Sequence, residues 1–131
     1  MTQTTTLSKI LFWAVAVIAL LWNAMGCINF AQQMAEGGRA TLPPEYQTFI
    51  ETRPFFALIG FAVSVFAGVI GAVLLMMRNK QAVAFFIVSC IGAIVTTIPT
   101  IASGMMSIIV GSAMSVVLAA LFALYAARAL R

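Results

Sequence analysis

The sequence predicts an all-α fold: a four-transmembrane-helix bundle with a short interfacial helix in the outer loop between the first and second spans. Of the 131 residues, 63% are apolar and only 8% are charged, whereas roughly a quarter of the residues in soluble domains are charged. Four windows without an interior charge, at about 7–30, 54–77, 82–102 and 105–127, are long enough to cross a hydrocarbon core of about 30 Å. We therefore expect residues 1–131 to form a single integral membrane domain.

The four spans are predicted to be helices with both chain termini in the cytoplasm. Backbone groups in lipid must be bonded within their own segment, and runs of this length satisfy that requirement only as helices. An even number of spans places most of the cations on one side of the membrane, with Arg39 and Arg53 on the other. Because basic residues are enriched in cytoplasmic segments, that side is predicted to be cytoplasmic; its cations are Lys9, Arg78, Lys80, Arg128 and Arg131.

The outer loop, residues 31–53, is predicted to contain helical structure of its own. The first span is expected to continue as a helix to Gly37-Gly38, a plausible stop, because a polar stripe with helical spacing runs through Asn29, Gln32, Gln33 and Glu36. Pro44 suits the first position of a new helix. The apolar face of that helix, which we expect to lie on the membrane interface, consists of Tyr46, Phe49 and Ile50.

Small residues recur at every fourth position in the second and fourth spans. Lipid is as apolar as a leucine side chain, so membrane helices associate through close van der Waals contact, which small residues allow. We therefore predict that these faces pack on each other or on further helices. The predicted helix-packing residues are Gly60, Ser64 and Gly68 in the second span, and Ser107, Gly111, Ser115 and Ala119 in the fourth.

The chain lacks the residues that most intramembrane chemistry requires. It has no histidine and no Asp or Glu within a span, so no nucleophile with a base, metal cage or carboxylate pair can be assembled there. We predict no catalytic residue, metal or cofactor, and we disfavour ion-coupled transport, which generally needs ionisable groups in the spans. The cations are scattered, which argues against a nucleic acid partner.

Cys27 follows Ala-Met-Gly, as the cysteine of a lipoprotein signal does, but Trp22 and Asn23 interrupt the apolar run that such a signal needs. We expect Cys27 to be a packing residue. A disulfide with Cys90 is not expected, because the two residues differ in predicted depth by more than about 10 Å and a bridge needs Cα atoms within about 7 Å.

Uncharged polar residues in the outer half of the bundle are candidates for ligand binding. An amide in hydrocarbon needs hydrogen-bond partners, and a tryptophan face can stack on a flat or sugar-like ligand. The candidates, which together would line a shallow pocket open to the outside, are Trp22, Asn23, Asn29, Gln33, Thr96 and Thr100. Alternatively, Asn23 links neighbouring helices, the hydroxyls bond to carbonyls of their own helix, and Trp22 anchors the first span at the interface.

The segments "WNAMGCINFAQQ" and "LPPEYQTFIETRPFF" resemble an uncharacterised family of small bacterial four-helix membrane proteins that is often automatically labelled "sugar transporter". The resemblance covers roughly the first 80 residues, and it implies a location in the bacterial inner membrane. Asn29 stands where that family usually has Asp, so a step that depends on the acid is implied to be missing here. The matching residues are Trp22, Asn23, Gly26, Phe30, Pro44, Glu45, Pro54 and Phe55.

Two functions are consistent with these observations. The first is a non-enzymatic membrane protein that acts as a homo-oligomer or as an accessory subunit of a membrane assembly, through its small-residue helix faces. The second is a facilitator or binding protein for a small neutral solute such as a sugar. Four helices packed about a common centre leave no spare lumen, so a solute path is expected to form between protomers.

Overall fold

The computed structural model describes residues 6–130, which contain helices and no strand. Four helices are long and apolar enough to cross a membrane, as predicted. In chain order the helices are α1 (Thr6–Met34), α2 (Glu36–Arg39), α3 (Pro44–Thr52), α4 (Phe55–Met76), α5 (Gln81–Ser103) and α6 (Met106–Ala129).

The loop between the first two spans folds largely as predicted. α3 begins at Pro44, in agreement with the prediction. The expectation that α1 continues to Gly37-Gly38 is wrong: α1 ends at Met34, and both glycines lie within α2. At this break the Arg39 Nε donates to the Gln33 carbonyl oxygen at 3.1 Å and satisfies an acceptor in the last turn of α1.

The four long helices pack in series. α5 lies between α4 and α6 and has extensive contacts with both, and α1 packs on α4, whereas α1 and α6 have only a small contact. We call the end of the bundle that carries α2 and α3 the loop side, and the end that carries the 77–80 turn the terminal side. Because α5 separates α4 from α6, the small residues of the second span do not pack on those of the fourth within this chain, and packing on a further helix is the predicted alternative that remains.

The small residues of α4 instead allow close approach of α5. A β-carbon built on Gly92 would lie 2.6 Å from the Gly60 carbonyl oxygen, and one built on Gly60 would lie 2.9 Å from the Gly92 oxygen. Real Cβ atoms do not approach backbone so closely, so both positions require glycine. Beside this crossing, the Ser89 hydroxyl donates to the Ser64 carbonyl oxygen at 2.6 Å, and both serines are buried.

Replacing Ser89 with alanine is expected to weaken the α4–α5 contact by about 0.6–1.7 kcal/mol, the measured range for hydrogen bonds between membrane helices. Unfolding in mixed detergent micelles measures this free energy. The matched control is Ser115→Ala, because the Ser115 hydroxyl bonds only to the Gly111 carbonyl of its own helix, at 3.1 Å. Equal losses for the two variants would contradict a structural role for the bond between helices.

The buried apolar core lies in the terminal half of the bundle. It joins the start of α1, the end of α4, the start of α5 and the end of α6. Aromatic rings fill its centre: Phe86 and Phe122 have ring centroids 5.7 Å apart, and Phe12 and Tyr125 are 6.4 Å apart. At the terminal surface, the Arg78 guanidinium carbon lies 4.1 Å from the centroid of the Phe12 ring, a favourable cation–π distance.

Candidate functional site

The loop half of the same bundle contains an open cavity of about 270 Å³. Its wall contains residues of α1, α4, α5 and α6, and α3 contributes residues on the loop side. Along α6 the lining extends from Ser107 to Phe122, which is about 22 Å at a rise of ~1.5 Å per residue. The cavity therefore reaches from the loop side past the midpoint of the bundle, and Phe122 belongs both to its lining and to the core.

The α1 wall carries four of the predicted ligand-binding residues. Trp22, Asn29 and Gln33 line the cavity together with Asn23. Gly26 lies between them and brings α1 close to α4, because a β-carbon built there would lie 2.5 Å from Val65 Cγ1. The helical spacing of these positions explains why they share one wall.

Asn23 is the most buried of these polar side chains, with 6% of its surface exposed. Its Nδ2 donates to the Ala19 carbonyl oxygen of its own helix at 2.8 Å, so the amide does not link two helices as the structural alternative requires. Its Oδ1 packs against Gly68, where any β-carbon would collide with it. Every buried side-chain N or O atom of the described residues has a hydrogen-bond partner. Because Asn23 Oδ1 has none, this oxygen is accessible from the cavity.

The α6 wall is formed by the small residues that were predicted to pack on another helix. Ser107, Gly111 and Ser115 line the cavity, and a β-carbon built on Gly111 would have no neighbour within 4 Å. Gly111 therefore makes no tight helix contact within this chain, and its packing on a further helix stays a prediction. Ala119, the fourth residue of the set, is 6% exposed at the deep end of the lining. Small side chains here leave space where bulky ones would fill it.

On α5, the two predicted threonines have different surroundings. Thr96 lines the cavity. Thr100 is buried, does not belong to the lining, and donates to the Thr96 carbonyl oxygen at 3.0 Å. Between these residues, the Thr97 hydroxyl lies 3.1 Å from the Ser112 hydroxyl of α6 and ties the two helices together at the cavity wall.

The apolar face of α3 covers the loop-side end of the cavity. Tyr46, Phe49 and Ile50 all belong to the lining and are half-buried. These residues were predicted to share a face that lies on the membrane interface. In the structure that face also contributes to the lining of the cavity.

Arg53 is a site residue that was predicted from the sequence only as a topology signal. It lines the cavity, and its guanidinium donates to Gln33 Oε1 at 2.9 Å and lies 5.8 Å from the centroid of the Phe61 ring. Partial burial and, next, the positive charge of Arg39 lower the pKa of Arg53 from its ordinary value. Its place directly before Pro54, which marks a helix boundary, was the signal that could have located it between two helices.

The lining offers hydrogen bonds, one guanidinium and apolar surface. Hydroxyls, amides and the indole of Trp22 face the same space as Val65, Ile108 and Phe122. Among the side chains that the structure describes, no carboxylate lines the cavity, and no group of three or more His, Cys, Asp or Glu residues lies together. Cys27 and Cys90 are separate free thiols. Such a surface is suited to reversible binding of a small polar molecule.

No protein-family model matches the chain, and no curated protein or solved structure matches it either.

Proposed function

We propose that this protein is a non-enzymatic, multi-pass membrane protein that binds a small polar solute in the loop-side cavity. The observation that carries the proposal is the contrast between the two halves of one bundle. The terminal half is filled by a packed aromatic core, whereas the loop half contains an open cavity whose lining has both polar and apolar groups. Polar side chains inside a membrane protein are costly without partners, so their concentration around one space favours a binding role.

The size of the cavity limits the solute. At about 270 Å³ it is slightly smaller than the ~300–1,000 Å³ that is typical of small-molecule sites. A ligand of about the size of a monosaccharide is consistent with this volume. A sugar-sized ligand also agrees with the "sugar transporter" label of the family that the sequence resembles. The cavity lies within one chain, so binding does not require the path between protomers that was expected from the sequence.

The proposed location is the bacterial inner membrane with both termini in the cytoplasm. The terminal side carries Lys9, Arg78, Lys80 and Arg128, whereas the loop side carries Arg39 and Arg53. The excess of cations on the terminal side supports a cytoplasmic position for it. The cavity then faces the outside, and a transport cycle would require the aromatic core around Phe122 to open toward the cytoplasm.

Trp22 provides a direct test of solute binding. Of the two tryptophans, Trp22 lines the cavity, whereas Trp13 has 48% of its surface exposed on the apolar exterior. In a Trp13→Phe protein, a panel of sugars and sugar derivatives is expected to change the Trp22 fluorescence with saturation.

The matched variants for this titration are Asn23→Ala and Ile18→Ala. Asn23→Ala removes the accessible amide and is expected to weaken binding about tenfold or more, as loss of a hydrogen bond at a buried site does. Ile18→Ala changes a side chain that is 55% exposed and should leave the titration unchanged. A flat fluorescence signal throughout the panel would overturn the proposed function.

Assembly through α6 is the second candidate function. It is supported by the exposure of Ser107 and Gly111, and by the absence of any neighbour within 4 Å of a β-carbon built on Gly111. In this case a homo-oligomer or another membrane subunit covers the small-residue face. Native mass spectrometry from detergent tests this candidate. If the parent protein is an oligomer, Gly111→Leu should convert it to monomers. A parent protein that is itself monomeric would exclude the homo-oligomer.

A further inference from the structure

We propose that the solute carries an oxyanion group, a phosphate or a carboxylate, that binds Arg53 at the loop-side end of the cavity. This inference rests on the proposed function and narrows its ligand from a neutral sugar to an acidic solute. The oxyanion belongs either to a free solute or to the headgroup of an anionic lipid, since both present the same chemistry to a guanidinium.

The backbone holds Arg53 in one place. Its N–H donates to the Phe49 carbonyl oxygen at 2.9 Å, closing the end of α3. Pro54 follows directly and restricts the preceding residue to extended backbone, and Arg53 accordingly has φ −68° and ψ 145°. Because α4 begins just after Pro54, Arg53 is fixed between two helices, and little backbone entropy is lost when a ligand binds it.

Most N–H donors of the Arg53 guanidinium have no described acceptor. An arginine has five N–H donors, and the described residues accept a single side-chain hydrogen bond from Arg53, at Gln33 Oε1. Gln33 thereby orients the group, while the Phe61 ring lies to one side of it. The remaining donors have the planar geometry that binds phosphate or carboxylate through two parallel bonds.

The described side chains beside Arg53 favour an anion. Burial lowers the pKa of Arg53, the positive charge of Arg39 lowers it further, and no described carboxylate lines the cavity next to its guanidinium. Glu45 and Glu51 are exposed on α3 and do not belong to the lining. A half-buried cation without a described acidic partner is unfavourable by itself, and a bound anion removes that cost.

The rest of the cavity accommodates an uncharged body below the oxyanion. Asn29 and the hydroxyls of Ser107 and Ser112 provide neutral hydrogen-bonding groups, and Trp22 provides a flat apolar surface. No second cation lines the cavity in the part of the chain that the structure describes. The arrangement therefore fits a ligand with one anionic end and a polar, neutral remainder.

The test uses the Trp13→Phe protein in nanodiscs of phosphatidylcholine, titrated with glucose, gluconate and glucose 6-phosphate at constant ionic strength. At least one of the two acidic probes is expected to change Trp22 fluorescence at lower concentration than glucose. Arg53→Gln should weaken this binding about tenfold to a hundredfold, as expected for the loss of charged hydrogen bonds. Arg53→Lys should restore part of it, and Arg128→Gln, on the terminal side, should have no effect.

A second arm identifies a lipid source. In nanodiscs that contain phosphatidylglycerol, native mass spectrometry should then show this lipid retained by the parent protein and lost from Arg53→Gln. Gln33→Ala removes the acceptor that orients the Arg53 guanidinium but leaves its charge in place. It should weaken the binding of either ligand severalfold. Because Arg53 itself is unchanged, this variant also controls for a folding defect in the Arg53 variants.

The outcomes separate this inference from the proposed function. Equal binding of glucose and the acidic probes, unchanged in Arg53→Gln, would overturn the oxyanion site and leave solute binding intact. If no soluble probe binds, the proposed function fails, and if phosphatidylglycerol does not bind either, the oxyanion site fails with it.

Discussion

Phe86→Ala is expected to destabilise the protein by about 3 kcal/mol, measured as the free energy of unfolding in mixed detergent micelles. The Phe86 side chain has no exposed surface, lies against Gly71 and has its ring tilted at 45° to the Phe122 ring. Phenylalanine-to-alanine changes in cores typically cost about 3–5 kcal/mol. We expect the lower end of this range because moving a ring from lipid into the core gains little hydrophobic free energy. The lost stability therefore consists mainly of van der Waals contacts.

Ile87→Ala is the matched control for this prediction. Ile87 follows Phe86 on α5 but has 47% of its surface exposed on the exterior, where lipid replaces the lost contacts. Its cost is expected to remain below about 1 kcal/mol, as for substitutions away from packed sites. A loss as large as that of Phe86→Ala would contradict a core restricted to the inward faces.

Gly92→Leu is expected to prevent the native packing of α4 on α5, whereas Gly111→Leu should leave the fold of the single chain intact. A side chain at Gly92 would meet the backbone of Gly60 and Ser64, and backbone atoms cannot move aside as a flexible side chain can. Overpacking of this kind costs about 1–3 kcal/mol and sometimes more. At Gly111 nothing lies within 4 Å of the new β-carbon.

Thermal unfolding of the two variants in the same detergent provides the comparison. A marked fall in Tm for Gly92→Leu alone is the expected result. Gly111→Leu should also fill part of the cavity and reduce the response of Trp22 to added solute, which tests the cavity wall independently of stability. If Gly111→Leu unfolds as readily as Gly92→Leu, our description of the α6 wall is incorrect.

The glycines show where periodicity alone was insufficient. Gly60, Gly68 and Gly111 follow the same four-residue rule in the sequence, and all three were predicted to be helix-packing residues. In the structure, Gly60 meets α5, Gly68 meets Asn23 of α1, and Gly111 meets open space. A small residue permits close approach, but whether another helix takes that space depends on the path of the whole chain.

The candidate site was partly predictable. Asn23 and Trp22 stand out because polar or amphipathic side chains inside an apolar span need a reason to be there, and both line the cavity. Thr100 was also selected, but it bonds to its own helix and lies outside the lining. Arg53 was missed because its role depends on α3 folding across the bundle, and a contact with Gln33, twenty residues earlier, leaves no local pattern.

The sequence by itself determined the four helices that are long and apolar enough to cross a membrane, because the length and apolarity of a segment decide locally whether it can cross a bilayer. Only the tertiary structure decided that the core lies in the terminal half and the cavity in the loop half. In lipid the hydrophobic effect does not select which apolar faces meet. Close contact at a few positions, such as Gly60 with Gly92, selects them instead, and those contacts exist only after the helices are assembled.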